Sequence, residues 1–242
     1  KYTSLNSVLK NDFSVFAKNE NTVEFAEVKK YFLNDVDTYK VIFIDGKFSS
    51  YLSSTTHDGL DVCLISAALS KAKYRDLIHT YFNKTTNEED SLTALNTSYT
   101  QEGAYVNIPK SVVAEKPIEI IHFSTGKEKA LWLQPRNLIV VDQNAQVQIL
   151  ERHQSLKEHN VVTNSVTEIY AHQDAFVDYY KIQNDLSTAS LIDNTYISQE
   201  KNSNVSVHTF SLGGKLIRNN LNFYLKGEHC QSTLKGVTLL ED

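Results

Sequence analysis

From Ala104 onward the chain is a series of short apolar segments, mostly β-branched or aromatic, set between polar turns. They are Ala104–Ile108, Ile118–Phe123, Leu138–Val141, Val147–Leu150, Val161–Tyr170, Phe176–Ile182, Ser190–Ile197, Val205–Leu212, Leu216–Leu225 and Thr233–Leu240. No amphipathic stretch of helical length separates them, and strands without intervening helices predict an all-β region. The first part of the chain is mixed. Val41–Ile44, running into Asp45-Gly46, predicts a short strand and a turn. Val62, Ile65, Leu69, Ala72, Leu77 and Ile78 fall at helical spacing, which predicts a helix over Asp61–Phe82 with Asp61 as its N-cap and Cys63 on its apolar side. Thr85–Asp90 is polar and reads as a surface loop, and Ser91–Thr100 as one more short helix.

A repeat organises the β region. Asp142–Ile149, His172–Tyr179, Glu200–Val207 and Gly227–Leu234 align without gaps, each a polar turn, a small residue and the start of a strand. The small residues are Ala145, Ala175, Ser203 and Cys230, at spacings of 30, 28 and 27. Self-similarity at this period signals stacked repeats, and strand-only repeats point to a parallel β-helix whose coils bury their inward face against one another. In such a fold Val147, Val177 and Val205 occupy equivalent positions from coil to coil. Gly213-Gly214 is expected to form a turn between two strands. The chain holds 20 asparagines, a residue that tolerates left-handed backbone, so turns of one repeated kind are expected. Together these readings predict a mainly β protein: a mixed helix and strand region over 1–95, then a parallel β-helix core over 96–242.

Composition narrows the function classes. With 242 residues, 41% hydrophobic and 10% aromatic, the chain can bury a core, which excludes disorder. Its net charge of −5 argues against a nucleic-acid or anionic-membrane partner. The apolar runs fall far short of the roughly 20 residues of a bilayer span, and no signal peptide is visible. The expectation is a soluble, cytoplasmic protein. Cys63 and Cys230 make no disulfide framework. The absence of methionine, initiator included, suggests a sequence that starts inside a longer protein or lacks its methionines.

Chemistry-bearing motifs are sparse. No phosphate-binding glycine loop, Cys-x-x-Cys, His-Glu-x-x-His or Gly-x-Ser-x-Gly occurs. His122, His153, His159, His172, His208 and His229 lie in the β region, and they read as solvent-facing or hydrogen-bonded residues on separate turns. Strand alternation puts Glu151 and His153 on one face and Arg152 on the other, so a cross-coil ion pair is favoured over a catalytic base with its carboxylate. Cys230 stands at the small corner position, which favours packing over reactivity. A polysaccharide lyase or hydrolase would need paired carboxylates with a basic residue in an outer groove. Asp174, Asp178, Asp185 and Asp193, with Arg136, Arg152 and Arg218, show no such pairing in sequence. No residue is assigned a catalytic, cofactor-binding or metal-binding role.

Several ordered blocks carry a resemblance. They are Gly103–Lys110 with Glu115–Ile118, Gln134–Val141, Gln146–His153, Tyr180–Gln183 and, above all, Val207-His-Thr-Phe-Ser-Leu-Gly-Gly-Lys-Leu-Ile-Arg-Asn-Asn-Leu221. They resemble the SufB/SufD family of iron–sulfur cluster assembly proteins, on its SufD side, over about residues 90–242. Lys1-Tyr-Thr-Ser4 resembles the family's tryptophan-led segment near the start. The resemblance implies a right-handed parallel β-helix flanked by helical terminal regions. It also implies partners: SufB and SufD pair through their β-helices, and each binds the ATPase SufC through C-terminal helices to build a nascent cluster. A scaffold subunit of this kind is not an enzyme. The family's interfacial histidine and SufC-binding helices fall past Asp242, and none of His208, His229, Cys63 or Cys230 matches a functional residue of the family. The expectation is therefore a β-helix truncated at its C-terminal end that binds no cluster and catalyses nothing. Its last coil, Leu216–Leu240, would serve as a docking edge for SufB or a second copy of itself. The alternatives are a free-standing β-helix enzyme acting on polysaccharide and a purely structural repeat protein.

Overall fold

Four left-handed residues set the path of the chain. Asn144, Asp174, Asn202 and His229 have φ of 57°, 59°, 58° and 59°, and each immediately precedes a small corner residue. Short polar side chains enter this region more readily than most. The corner amide then closes on the residue three before it: Ala145 donates to Asp142 O (3.0 Å), Ala175 to His172 O (3.1 Å) and Ser203 to Glu200 O (3.1 Å). The corner carbonyl accepts from the next coil, with Phe176 N on Ala145 O (2.9 Å), Asn204 N on Ala175 O (2.8 Å) and Gln231 N on Ser203 O (2.9 Å). The turns therefore stack. Cys230 fills the fourth corner, its thiol donating to Glu200 O at 3.1 Å, as the Ser203 hydroxyl does at 2.7 Å.

The computed structural model describes residues 23–239 apart from 34, 55–59, 87–89 and 128–129, together with 8, 10, 12–15 and 17. The Lys1–Ser4 block and Leu240 lie outside the described residues. In chain order the elements are α1 (Phe25–Val28), β1 (Tyr39–Ile44), β2 (Lys47–Phe48), β3 (Asp61–Leu64), α2 (Ile65–Ser70), α3 (Ala72–Tyr81), α4 (Ser91–Tyr99), β4 (Ala104–Ile108), β5 (Ile118–Ser124), β6 (Ala130–Leu133) and β7 (Arg136–Val141). There follow β8 (Gln146–Ser155), β9 (Asn160–Ala171), β10 (Phe176–Asn184), β11 (Ala189–Gln199), β12 (Asn204–Ser211), β13 (Leu216–Leu225) and β14 (Gln231–Thr238). One sheet runs β14-β12-β10-β8-β5-β1-β2 and the other β13-β11-β9-β7-β4-β3. From β7 onward successive strands alternate between the sheets and pair in parallel from coil to coil, which makes a parallel β-solenoid of about four turns. Val147, Val177 and Val205 are register partners, as the repeat requires.

The sheets reach back into the N-terminal part. β1 pairs in parallel with β5 over Tyr39–Ile44, and β3 pairs antiparallel with β4. The second pairing corrects the expected Asp61–Phe82 helix. Val62, Cys63 and Leu64 meet Val106, Tyr105 and Ala104 across a sheet edge, and strand pairing overrides the local helical spacing. Asp61 caps nothing; it accepts from Lys73, Tyr74 and Asn107. Lys71, extended at φ −99° and ψ 124°, separates α2 from α3. α4 forms as expected, with the Asp90 carboxylate capping Thr93 N at 3.2 Å. Thr85 is buried rather than on a surface loop.

Between the sheets, Val41, Ile118, Ile120, Ile139, Val147, Ile149, Ile169, Val177, Ile197 and Val205 form a continuous apolar core. Gly213 and Gly214 turn the chain from β12 to β13. Gly214 has φ of +99°, and a side chain on Gly213 would meet the Asp185 carbonyl at 2.4 Å. No helix among the described residues is long and apolar enough to cross a membrane.

Candidate functional site

Half of the solenoid interior is not apolar. On β8 the inward lane runs Val147, Ile149, Glu151, His153, and on β10 it runs Val177, Tyr179, Lys181, Gln183. Alternate residues share a face, so one edge of each coil buries hydrocarbon and the other buries polar groups. Register carries this from strand to strand: His122 of β5 pairs with His153, and Phe43 of β1 with His122. Strands are about 4.8 Å apart, so in-register rings must stack. The centroids of Phe43 and His122 lie 5.0 Å apart and those of His122 and His153 4.9 Å apart, each pair inclined by 15°.

Glu151 lies beside this stack, and its two oxygens face different surroundings. Oε2 accepts from Thr167 Oγ1 (2.9 Å) and from the Tyr179 hydroxyl. Oε1 accepts from Ser165 Oγ (3.2 Å) and lies 3.4 Å from His153 Nε2 and 3.9 Å from His122 Nε2. Neither Nε2 makes a well-aligned hydrogen bond among the described residues, His153 Nε2 meeting Glu151 only as an ion pair, and both are sealed from solvent; the residues are 8% and 3% exposed. One coil on, Lys181 Nζ bonds Asp193 Oδ2 (2.8 Å) and Thr195 Oγ1 (3.0 Å).

Burial shapes the charges. It drives His122 down to about 3, with His153 adding to the effect and Glu151 opposing it, which leaves a neutral ring at neutral pH. Burial also acts to raise Glu151, but His153, His122 and the Tyr179 hydroxyl outweigh it and hold the group an anion. Burial opposes charge on His153 as well, and the adjoining carboxylate reverses that and raises it. The cluster thus presents a carboxylate and two imidazoles, the one set of three potential metal ligands recorded among the described residues.

The shared face of Glu151 and His153 was readable from strand alternation. Arg152 takes the opposite face and forms the expected cross-coil pair, 2.7 Å from Glu119. The reading of the histidines as solvent-facing or hydrogen-bonded groups on separate turns is corrected for His122 and His153, which are buried and stacked on each other. Their separation of 31 residues, close to the coil length, was the signal that could have joined them. The other histidines are dispersed. His159 bonds Lys157 O, His172 meets Glu200 and Tyr81, His208 stacks on Tyr180 and His229 occupies an exposed corner. Cys63 lies half-buried on β3, its thiol raised by burial. Arg136 is buried against Glu168 at 2.6 Å on the outer side of the second sheet, and Arg218 on β13 donates to Asn220. Of the aspartates, Asp193 faces the interior, Asp185 accepts from Ser155 and Asp174 from Asn202.

These features define a parallel β-solenoid with a partly polar lumen and a small helical layer on its outside. The family model described as SUF system FeS cluster assembly, SufBD core domain, matches residues 122–242, and that of the SufBD protein N-terminal region matches residues 1–120. The chain therefore belongs to the SufB/SufD family, part of the machinery of iron–sulfur cluster assembly. An iron–sulfur cluster assembly SufBD family protein of Synechocystis sp. is 26% identical over 99% of this chain and 54% of its own length. The iron–sulfur cluster assembly protein SufD of Bacillus subtilis is 28% identical over 46% of this chain and 26% of its own length. The chain spans about half the length of the first relative and a shorter part of the second.

Proposed function

We propose that the protein is a non-catalytic scaffold subunit of iron–sulfur cluster assembly that works with SufB and the SufC ATPase. The observation that carries this reading is how the ionisable residues are used. Of the basic and acidic residues that a polysaccharide enzyme would need on an outer groove, Arg136, Arg152 and Asp193 are taken up in buried ion pairs, with Glu168, Glu119 and Lys181. The repeat itself supplies an extended docking frame. Among the described residues β13 and β14 each have a neighbour on one side only, and Leu225, Leu234, Val237 and Leu239 are exposed there. An unpaired parallel edge with apolar flanks accepts a further strand, from SufB or from a second copy. Co-expression with SufB and SufC, followed by size exclusion and iron and sulfide analysis, tests the reading. The expected result is co-elution, lost when charged residues replace Leu234 and Val237. Elution apart from both partners would contradict it. So would a stable cluster chromophore when this protein alone is reconstituted anaerobically with iron and sulfide.

A further inference from the structure

We propose that the solenoid lumen binds one divalent transition-metal ion, of the zinc, cobalt(II) or iron(II) kind, through His122 Nε2, His153 Nε2 and Glu151 Oε1. Convergence is the first argument. His122 on β5 with Glu151 and His153 on β8 bring two imidazole nitrogens and a carboxylate oxygen together. Oε1 lies 3.4 Å and 3.9 Å from the Nε2 atoms of His153 and His122, while Lys181 of the next coil is already held by Asp193 and Thr195. The orphaned nitrogens are the second. Both Nε2 atoms are buried without a hydrogen-bond partner among the described residues, whereas most buried polar side-chain atoms find one. A proton shared between His153 and Glu151 would balance the charge but leave His122 Nε2 still without a partner. A metal ion satisfies all three atoms.

The surrounding groups are arranged as a ligand set needs. Thr167 and the Tyr179 hydroxyl hold Oε2, which turns Oε1 toward the imidazoles in the manner of outer-shell partners that orient a ligating carboxylate. Two imidazoles and one carboxylate suit borderline first-row divalent ions and leave open positions for water. The three donor atoms lie within 4.8 Å of one another. Bonds of about 2.1 Å place tetrahedral donors roughly 3.4 Å apart, so ligation requires the His122 ring to tilt by about 1 Å out of its stack toward Glu151. The site is enclosed, so the ion enters as the chain folds.

The test is to unfold the purified protein in chelator and refold it with cobalt(II). The expected result is one equivalent per chain, a visible d–d band from nitrogen and oxygen ligands, and a higher Tm than without metal. His122→Phe keeps the ring stack with Phe43, and it should fold, as judged by far-ultraviolet circular dichroism. It should nevertheless lose cobalt affinity by more than the 10–100-fold typical of outer-shell changes and show no metal-dependent rise in Tm. His208→Phe should bind as wild type does. A wild-type protein that refolds without taking up cobalt, or a His122→Phe variant that binds it equally well, overturns the proposal. Loss of metal binding would leave association with SufB untouched, so the two readings fail separately.

Discussion

Glu168 and Glu151 are both buried carboxylates, one outside the second sheet and one in the lumen, and their surroundings differ. Glu168 accepts from the amides of Asn83 (2.7 Å), Lys84 (3.2 Å) and Thr85 (3.3 Å), from the Thr85 hydroxyl and from Arg136 Nη2 at 2.6 Å. The guanidinium in turn reaches Asn83, Asn96 and Thr97 and lies 4.7 Å from the centre of the Phe82 ring. Both charges there meet a fixed partner of opposite sign, although Arg136 Nε has no hydrogen bond among the described residues, and the cluster clips the 83–85 loop and α4 onto the solenoid. Glu151 accepts hydrogen bonds from hydroxyls and faces two imidazoles whose Nε2 atoms make no well-aligned hydrogen bond among the described residues, His153 meeting it as an ion pair at 3.4 Å. A closed cluster of buried ions holds parts of the fold together, whereas the lumen cluster keeps donor atoms not yet used.

Several substitutions break or sharpen this contrast. Glu168→Ala strands the Arg136 guanidinium in the interior and should destabilise the protein by about 3–5 kcal/mol in urea unfolding. Lys181→Met leaves Asp193 buried without its cation and should cost a similar amount, whereas Lys181→Met combined with Asp193→Leu should recover most of that loss. A double variant no more stable than the single one would show that the pair is not acting as a unit. Val177→Ala, in the apolar lane of the same lumen, removes two methyl groups and should cost about 2 kcal/mol. Glu151→Gln should have the smallest effect, within about 1 kcal/mol in metal-free buffer. The amide keeps an oxygen for Thr167 and Tyr179 and removes a charge whose neighbours are hydroxyls and imidazoles rather than a lysine or arginine. A loss as large as that of Glu168→Ala would place Glu151 among the structural clips.

The two halves of the lumen also explain what could be read in the sequence. The apolar half announces itself: Val147, Val177 and Val205 follow the corner residues at matching distance, and their register is as the repeat predicts. The polar half is concealed. β8 continues through Glu151–Ser155, where an apolar-segment reading stops at Leu150, because these inward residues face hydroxyls and carboxylates of the opposite sheet. β6 was missed for a related reason, since Gln134-Pro135 divides the β6–β7 stretch into two pieces that both pair with β9. Near the N-terminus the error lay in local spacing, which cannot register that Cys63 has a sheet partner in Tyr105. Periodicity reports what a residue does in its own segment. The stacking of His122 on His153 is a property of two segments 31 residues apart.

Coil register, as proposed above, gathers His122, His153 and Glu151 around a cation, and anomalous diffraction from crystals grown in cobalt(II) would locate that ion. A single strong peak is expected in the lumen, about 2.0–2.2 Å from both Nε2 atoms and from Oε1. A lumen without a peak, with cobalt found only at an exposed histidine such as His229, would contradict it.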